Sequence, residues 1–284
     1  NSFISLGESL RVIENVVQMQ EAAHKYKNKS VGFVPTMGAL HLGHISLVKQ
    51  ASEENDIVVV SIFVNPTQFA KNEDLSTYPR KIEADIAICE KLGCDYLFLP
   101  NARQMYPNSD EVRILSPKHN GNILEGKERN GHFDGVLQVV MKLFHLIAPS
   151  RAYFGKKDTQ QVLLIEQMCA EYFLDVQIRR CETVRDENGL ALSSRNVYLE
   201  DAQVSEALGI SRALKTASLA VQRGESDCAK LIALMHEELG RSAVSYVQIV
   251  SPKLETLEVV EVGNTIIVIT IVIGGKRYLD NVWI

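Results

Sequence analysis

No stretch of this 284-residue chain approaches the roughly 20 consecutive apolar residues that a bilayer-spanning helix needs. Nor do the first residues, N-S-F-I-S-L-G-E, carry the cationic segment and long apolar core of a secretory leader, so a cytosolic location is expected and no membrane partner. The cysteines Cys89, Cys94, Cys169, Cys181 and Cys228 are odd in number, include no C-x-x-C pair and sit mostly among apolar residues. That usage fits reduced thiols, and it argues against both a disulfide framework and a zinc site. There is no repeat, no low-complexity tract and no basic tract. With a net charge of -5 and a pI near 5.9, nothing attracts the chain generally to nucleic acid or an anionic surface. A small ligand is therefore the default partner.

What is present is an ordinary soluble composition, 46% hydrophobic and 23% charged, at a length suited to one large domain or two modest ones. Residues 8 to 27 read as a helix, 31 to 36 as a buried strand, and about 40 to 54 as an amphipathic helix. The continuous β-branched run from Ile57 to Val64 fits a central parallel strand covered on both faces. Helices are expected near 80–92, 135–147 and 158–172, alternating with strands at 95–100, 151–155 and 176–184. Such alternation predicts an α/β fold with a Rossmann-like, doubly wound parallel sheet. After R-D-E-N-G-L-A-L-S-S-R-N the pattern changes to two consecutive helices, 200–222 and 227–240, then strands at 245–250, 265–273 and 277–283. A smaller C-terminal α+β domain is expected, with domains at 1–184 and 185–284 and the glycine-containing loop between them suited to a hinge.

Four segments follow predicted strands and are expected to face one crevice at the strands' carboxyl ends. In the first, Pro35, Thr36, Met37 and Gly38 carry turn chemistry, and Ala39 and Leu40 lead into a helix bearing His41, Leu42, Gly43 and His44. A helix N-terminus offers unpaired N–H donors and partial positive charge to phosphate. The two imidazoles, three residues apart, are expected on one face as further donors, with Gly43 leaving room for a close ligand. The same spacing also suits a metal, but no third ligand recurs at a supporting distance, so no protein-held metal is expected. In the second segment, Asn65 and Gln68 can donate and accept together, which suits a hydroxylated organic acid, although turn chemistry also accounts for N-P-T-Q. In the third, Gly155 permits close backbone approach, Lys156 or Lys157 can set an ammonium against phosphate, with Lys157 preferred, and Asp158 can cap a helix or meet ribose hydroxyls. Gln161 lies one turn further on. In the fourth, Ser193 and Ser194 precede Arg195, whose guanidinium can grip two phosphate oxygens in a mobile clamp.

Together, P-T-M-G-A-L-H-L-G-H, F-V-N-P-T-Q-F, G-K-K-D-T-Q-Q and T-V-R-D-E-N-G-L-A-L-S-S-R-N resemble the pantothenate synthetase (pantoate-β-alanine ligase) family in order and spacing, over essentially the whole chain. His41 to His44 is similar to the H-x-G-H signature of class I nucleotidyltransferases, and L-S-S-R to their K-M-S-K-S loop. The resemblance implies ATP-dependent joining of pantoate to β-alanine through a pantoyl adenylate, with release of pyrophosphate and then AMP. It also implies magnesium and a homodimer. By this resemblance the segment through His44, with Gly155, Lys156, Lys157, Asp158, Val184, Leu192, Ser193, Ser194 and Arg195, binds ATP, and His44 is the catalytic histidine. Gln68 and Gln161 hold pantoate, Gln68 also near β-alanine. As phosphate charge builds, His41, His44, Lys157, Ser193, Ser194 and Arg195 are the groups expected to stabilise it. The chain departs from the family pattern at Leu42, where an acid is frequent, at Leu192, where methionine is common, and at Gln138, where threonine is usual. Gln138 sits on a helix expected near the pocket and bears on how the two substrates lie.

Three rival readings remain at the level of sequence. An adenylyltransferase making a dinucleotide-like product explains the histidines and the clamp but not Gln160 and Gln161 beside F-V-N-P-T-Q-F. A tRNA-charging enzyme would need a nucleic-acid-binding region. A nucleotide sensor without turnover has no need for histidines, lysine and arginine together.

Overall fold

The structure is a computed structural model that describes residues 10–70 and 73–284, which form two compact units. The opening segment read for a leader, and residues 8 and 9 of the first expected helix, lie outside the described residues.

The first unit comprises the described residues through Gly155 together with Leu164–Cys181. Its strands are β1 (Arg11–Ile13), β2 (Val31–Thr36), β3 (Ile57–Ile62), β4 (Tyr96–Phe98), β5 (Arg151–Gly155) and β6 (Gln177–Cys181). They form one parallel sheet in the order β1-β4-β3-β2-β5-β6. Every residue of β3 is buried, as a strand with neighbours on both edges and helices across its faces requires. Val34, Val58, Val60 and Leu97 share a core with Leu47, Val48 and Ala51 of α2 (Leu42–Glu54), each large apolar side chain contributing about 1.5–3 kcal/mol on burial. The chain runs outward from β2 through β3 to β4 and then returns to build β5 and β6 on the other side. The carboxyl ends of β2 and β5, Thr36 and Gly155, therefore flank the switch in direction where open α/β sheets bind ligands.

The helix expected over 8–27 is shorter than the periodicity suggests. Arg11–Ile13 instead pairs in parallel with Tyr96–Phe98, and α1 (Val16–Lys25) starts only after Asn15, whose Oδ1 accepts from the Val17 amide at 2.8 Å. The remaining helices are α3 (Ile82–Lys91), α4 (Ala102–Met105), α5 (Leu124–Glu128), α6 (His132–Ile147) and α7 (Thr159–Glu171), the last contributing Leu164 onward to this unit. The two short helices α4 and α5 carry too few turns to leave a periodic signal.

The second unit comprises Lys156–Leu163 and Glu182–Ile284. It holds α8 (Asp201–Gln222), α9 (Cys228–Leu239) and an antiparallel sheet of β7 (Ala243–Val250), β8 (Ile266–Ile273) and β9 (Lys276–Trp283), with β8 in the middle. Ala207, Ile210, Ala213, Leu214 and Ala217 recur at helical spacing and pack with Leu231, Met235, Ile267, Ile269 and Ile271. Among the described residues no helix is long and apolar enough to cross a membrane.

Candidate active site

The turn after β2 is built by side chains that consume its backbone donors. Gly38 and Ala39 both adopt positive φ, 86° and 51°, so the chain reverses within two residues. Buried Asp85 of α3 holds that reversal, accepting from the amides of Ala39 at 2.9 Å and Leu40 at 2.8 Å. Burial raises the Asp85 pKa above the usual carboxylate range, against the opposing pull of those two amides. Helix α2 begins at Leu42, not at Leu40, with His41 as its N-cap in extended conformation. The His41 Nδ1 accepts from the Gly43 amide at 3.1 Å, and the His44 Nδ1 accepts from the His41 amide at 3.3 Å. With both Nδ1 atoms accepting, each neutral ring carries its proton on Nε2. The rings lie together, centroids 4.1 Å apart.

This corrects one expectation and adds to another. The loop amides of Ala39, Leu40, His41 and Gly43 already have partners within the chain. Gly43 is also required for a reason other than ligand approach, because a Cβ there would lie 2.8 Å from the His41 Cε1 and 2.9 Å from its Nδ1. Leu42, one of the departures from the family pattern, is 62% exposed at the first helical position.

After β3, Pro66–Gln68 forms a single 3-10 turn capped by Asn65. The Asn65 amide is fully engaged: Nδ2 donates to Gln68 Oε1 and to the Gly135 carbonyl, both at 3.1 Å, and Oδ1 accepts from Tyr106 at 2.7 Å and from Thr67 Oγ1 at 3.0 Å. Asn65 therefore orients Gln68 from inside the fold. The Gln68 Nε2 reaches the Met37 Sδ at 3.4 Å, which brings the first two sequence motifs together. From below, His132 at the start of α6 donates from Nδ1 to the Gln68 carbonyl at 2.8 Å, while its Nε2 accepts from Arg129 at 2.9 Å. Arg129 in turn grips Glu73 with two bonds, at 2.5 and 2.9 Å. Burial and the neighbouring guanidinium hold the His132 pKa down to about 4, so the ring is neutral near pH 7. Helix α6 sits directly on the turn because Gly135 has no side chain; a Cβ there would fall 2.4 Å from the Thr67 carbonyl oxygen. Gln138 uses its amide on the neighbouring segment, donating to the Val112 carbonyl at 2.9 Å and accepting from the Ile114 amide at 2.7 Å. It lines a cavity of about 430 Å³ with Tyr106, Glu111 and Asp134.

Gly155 ends β5, and a Cβ there would meet nothing within 4 Å, so packing does not demand the glycine. In the second unit, Lys156, Lys157 and Asp158 form a 3-10 turn. Lys156 is drawn to Glu182 and lies over the Trp283 ring, 5.4 Å from its centroid, while the Lys157 Nζ meets the adjacent Asp158 at 3.3 Å. Gln161 is half-buried in the first turn of α7. Val184 accepts from the Leu192 amide at 3.0 Å, closing a narrow loop, and Ser193 caps the 3-10 turn Ser194–Tyr198 by accepting from the Arg195 amide at 3.3 Å. Strand β9 braces both segments: Tyr278 donates to the Arg195 carbonyl at 3.2 Å, Asp280 pairs with Arg185, and Asn281 donates to the carbonyls of Lys156 and Lys157, both at 2.8 Å.

The first unit thus gathers Met37, His41, His44, Asn65 and Gln68 through their own contacts, and the second ties Lys156, Lys157 and Arg195 to one strand. Sequence reasoning passed over Asp85, Arg129, His132 and Gly135 in the first unit and Asp280 and Asn281 in the second. Asp85 was detectable, since it precedes Cys89 by one helical turn and so places an acid on the apolar face of α3.

Residues 11–283 match the family profile described as pantoate-beta-alanine ligase. The chain is 49% identical to the pantothenate synthetase of Helicobacter pylori and 50% identical to that of Sulfurimonas denitrificans, in each case over 97% of this chain and the full length of the relative. Among solved structures it resembles pantothenate synthetase from Thermus thermophilus, with a TM-score of 0.91, 38% identity and coverage of 96% and 98% of the two chains. A pantoate-beta-alanine ligase from Francisella tularensis, complexed with beta-gamma ATP and beta-alanine, matches with a TM-score of 0.80 and 37% identity, covering 97% of this chain and 98% of the other.

Proposed function

We infer the activity from the family to which the chain belongs, the pantoate-β-alanine ligases: it is an enzyme that joins pantoate to β-alanine using ATP and forms pantothenate. The observation that carries the reading at the level of chemistry is the H-x-G-H cap at the carboxyl end of β2, where both imidazoles turn Nδ1 inward and keep Nε2–H as the donor.

The reaction runs in two halves. A pantoate carboxylate oxygen attacks the α-phosphorus of ATP, a P–O bond forms to give pantoyl adenylate, and the bond to the β-phosphate breaks to release pyrophosphate. The β-alanine nitrogen, as the free amine, then attacks the acyl carbon, loses a proton and expels AMP. In the first half negative charge gathers on phosphate oxygens, and His41, His44, Lys157, Ser193, Ser194 and Arg195 stabilise it. Pro35 to His44, Gly155 to Asp158, Val184 and Leu192 to Arg195 hold the nucleotide. Gln68 and Gln161 hold pantoate, Gln68 borders β-alanine, and Asn65 acts through Gln68. The open space beside Gly155 supports a close nucleotide. Because AMP already leaves well, the second half is chiefly a matter of positioning. Ordering of the Ser193 to Arg195 loop over the adenylate keeps water from it.

Among the described residues no three His, Cys, Asp or Glu side chains are grouped to hold a metal, and the proposed site offers imidazole, ammonium and guanidinium, which are partners for phosphate. A magnesium ion bound with ATP would therefore be held by the nucleotide's phosphates and not by these side chains, and would supply further charge neutralisation. A cytosolic homodimer completes the reading, with the exposed apolar residues Val112 and Leu115 available to an interface.

Incubation with ATP and pantoate, with and without β-alanine, tests the function: AMP and an amide are expected only with the amine, and a dinucleotide product would favour the adenylyltransferase alternative. Within the site, Lys157→Ala and His44→Asn are expected to slow adenylate formation far more than they weaken ATP binding, the asparagine retaining an acceptor for the His41 amide. Equal losses in both would refute the transition-state role.

A further inference from the structure

We propose that Asn281, supported by Asp280, is a positioning residue for adenylate formation: β9 fixes the lysine turn and the arginine loop to one element, so that Lys157 and Arg195 reach phosphate as a unit. The proposal rests on the reading that those two side chains meet ATP.

A side-chain amide has two N–H bonds on one nitrogen, and Asn281 sends one to each of two successive carbonyls, Lys156 and Lys157, at 2.8 Å. The residue is 4% exposed. Since the Lys157 carbonyl is so held, the base of its side chain cannot shift without breaking a bond to buried Asn281. The neighbouring Asp280, equally buried, accepts from both terminal nitrogens of Arg185 and from the Asn281 backbone N–H, the last at 2.8 Å. Arg185 also donates to the Gly189 carbonyl at 3.1 Å, and Tyr278 to the carbonyl of Arg195. Antiparallel pairing of Asp280 with Ile269 and of Asn281 with Val268 fixes the register of all three side chains. An ion pair between buried Asp280 and partly exposed Arg185 adds little net stability. What it supplies here is a fixed geometry for the two loops. Reading β9 only as an edge strand of a small domain leaves that concentration of buried polar groups without a purpose.

The test compares full-length wild type with Asn281→Ala and Asn281→Asp, measuring pantoate-dependent ATP–pyrophosphate exchange, amide formation from supplied pantoyl adenylate, and the melting temperature. Loss of two hydrogen bonds in Asn281→Ala is expected to slow exchange about 10- to 100-fold, with the KM for pantoate and the second half-reaction close to wild type. Asn281→Asp, nearly isosteric, carries the test independently if the alanine variant does not fold. Its carboxylate would face two carbonyls, so exchange should fall as pH rises through an inflection that wild type lacks, the protonated acid retaining one donor. Wild-type exchange in both variants, or a parallel fall in exchange, amide formation and melting temperature, would overturn the proposal. Absence of pantoate-dependent exchange in wild type would instead overturn the underlying activity.

Discussion

Acidification of the His132 network gives a prediction whose size follows from its surroundings. Neutral His132 donates to the Gln68 carbonyl and accepts from Arg129, so a second proton would set Nε2–H against a guanidinium with nowhere to move. The folded-state pKa is about 4, against about 6.5 for an unstructured histidine. Above the unfolded value neither state is protonated, and the ring's contribution to stability is complete. As pH falls below that value the unfolded chain takes up a proton that the folded chain refuses, and stability declines until the folded ring also titrates. The difference of about 2.5 pKa units corresponds to roughly 3 kcal/mol lost between pH 6.5 and 4, at no more than about 1.4 kcal/mol per pH unit. Histidine proton NMR, with the resonance assigned by comparison with His132→Gln, should show a group titrating near pH 4, and urea unfolding of the variant should lack this share of the acid slope. A resonance titrating near 6.5, the ordinary histidine value, or identical acid slopes for the two proteins, would refute the reasoning.

Other perturbations test the turn after β2. Gly43→Ala places a methyl group against the His41 ring, so adenylate formation should fall about tenfold or more with the KM for pantoate unchanged; a wild-type rate would mean that the position of the His41 ring does not matter to the reaction. Asp85→Asn retains one acceptor for two amides, and should lower stability by about 1–3 kcal/mol in urea unfolding while raising the KM for ATP. Unchanged values of both would show that the reversal at Gly38 and Ala39 holds itself.

The alternation of buried runs and amphipathic stretches placed nearly every long element, because β3 and β8 bury almost every residue and α8 repeats its apolar positions with helical spacing. It missed β1, a three-residue strand whose only cue is a partner 85 positions away in the register Arg11 to Tyr96. The site divided in the same way. Motifs that follow strands were legible because glycine, proline, closely spaced histidines and adjacent lysines depart from periodic packing. The residues that hold those motifs were not. His132, Arg129 and Asn281 act through carbonyls and charges distant in sequence, and single polar residues inside apolar elements carry no local pattern. Even where the residues were found, their partners were hidden: helix-start logic assigned the amides near His41 to phosphate, and the fold gives them to Asp85 and to the imidazoles.

In the H-x-G-H cap each imidazole closes the helix start with Nδ1 and leaves its ring proton to Nε2. No other natural side chain offers an acceptor and a donor at those separations from a planar ring. A substitution at position 41 or 44 therefore disturbs the turn as well as the chemistry unless the new side chain keeps the inward acceptor.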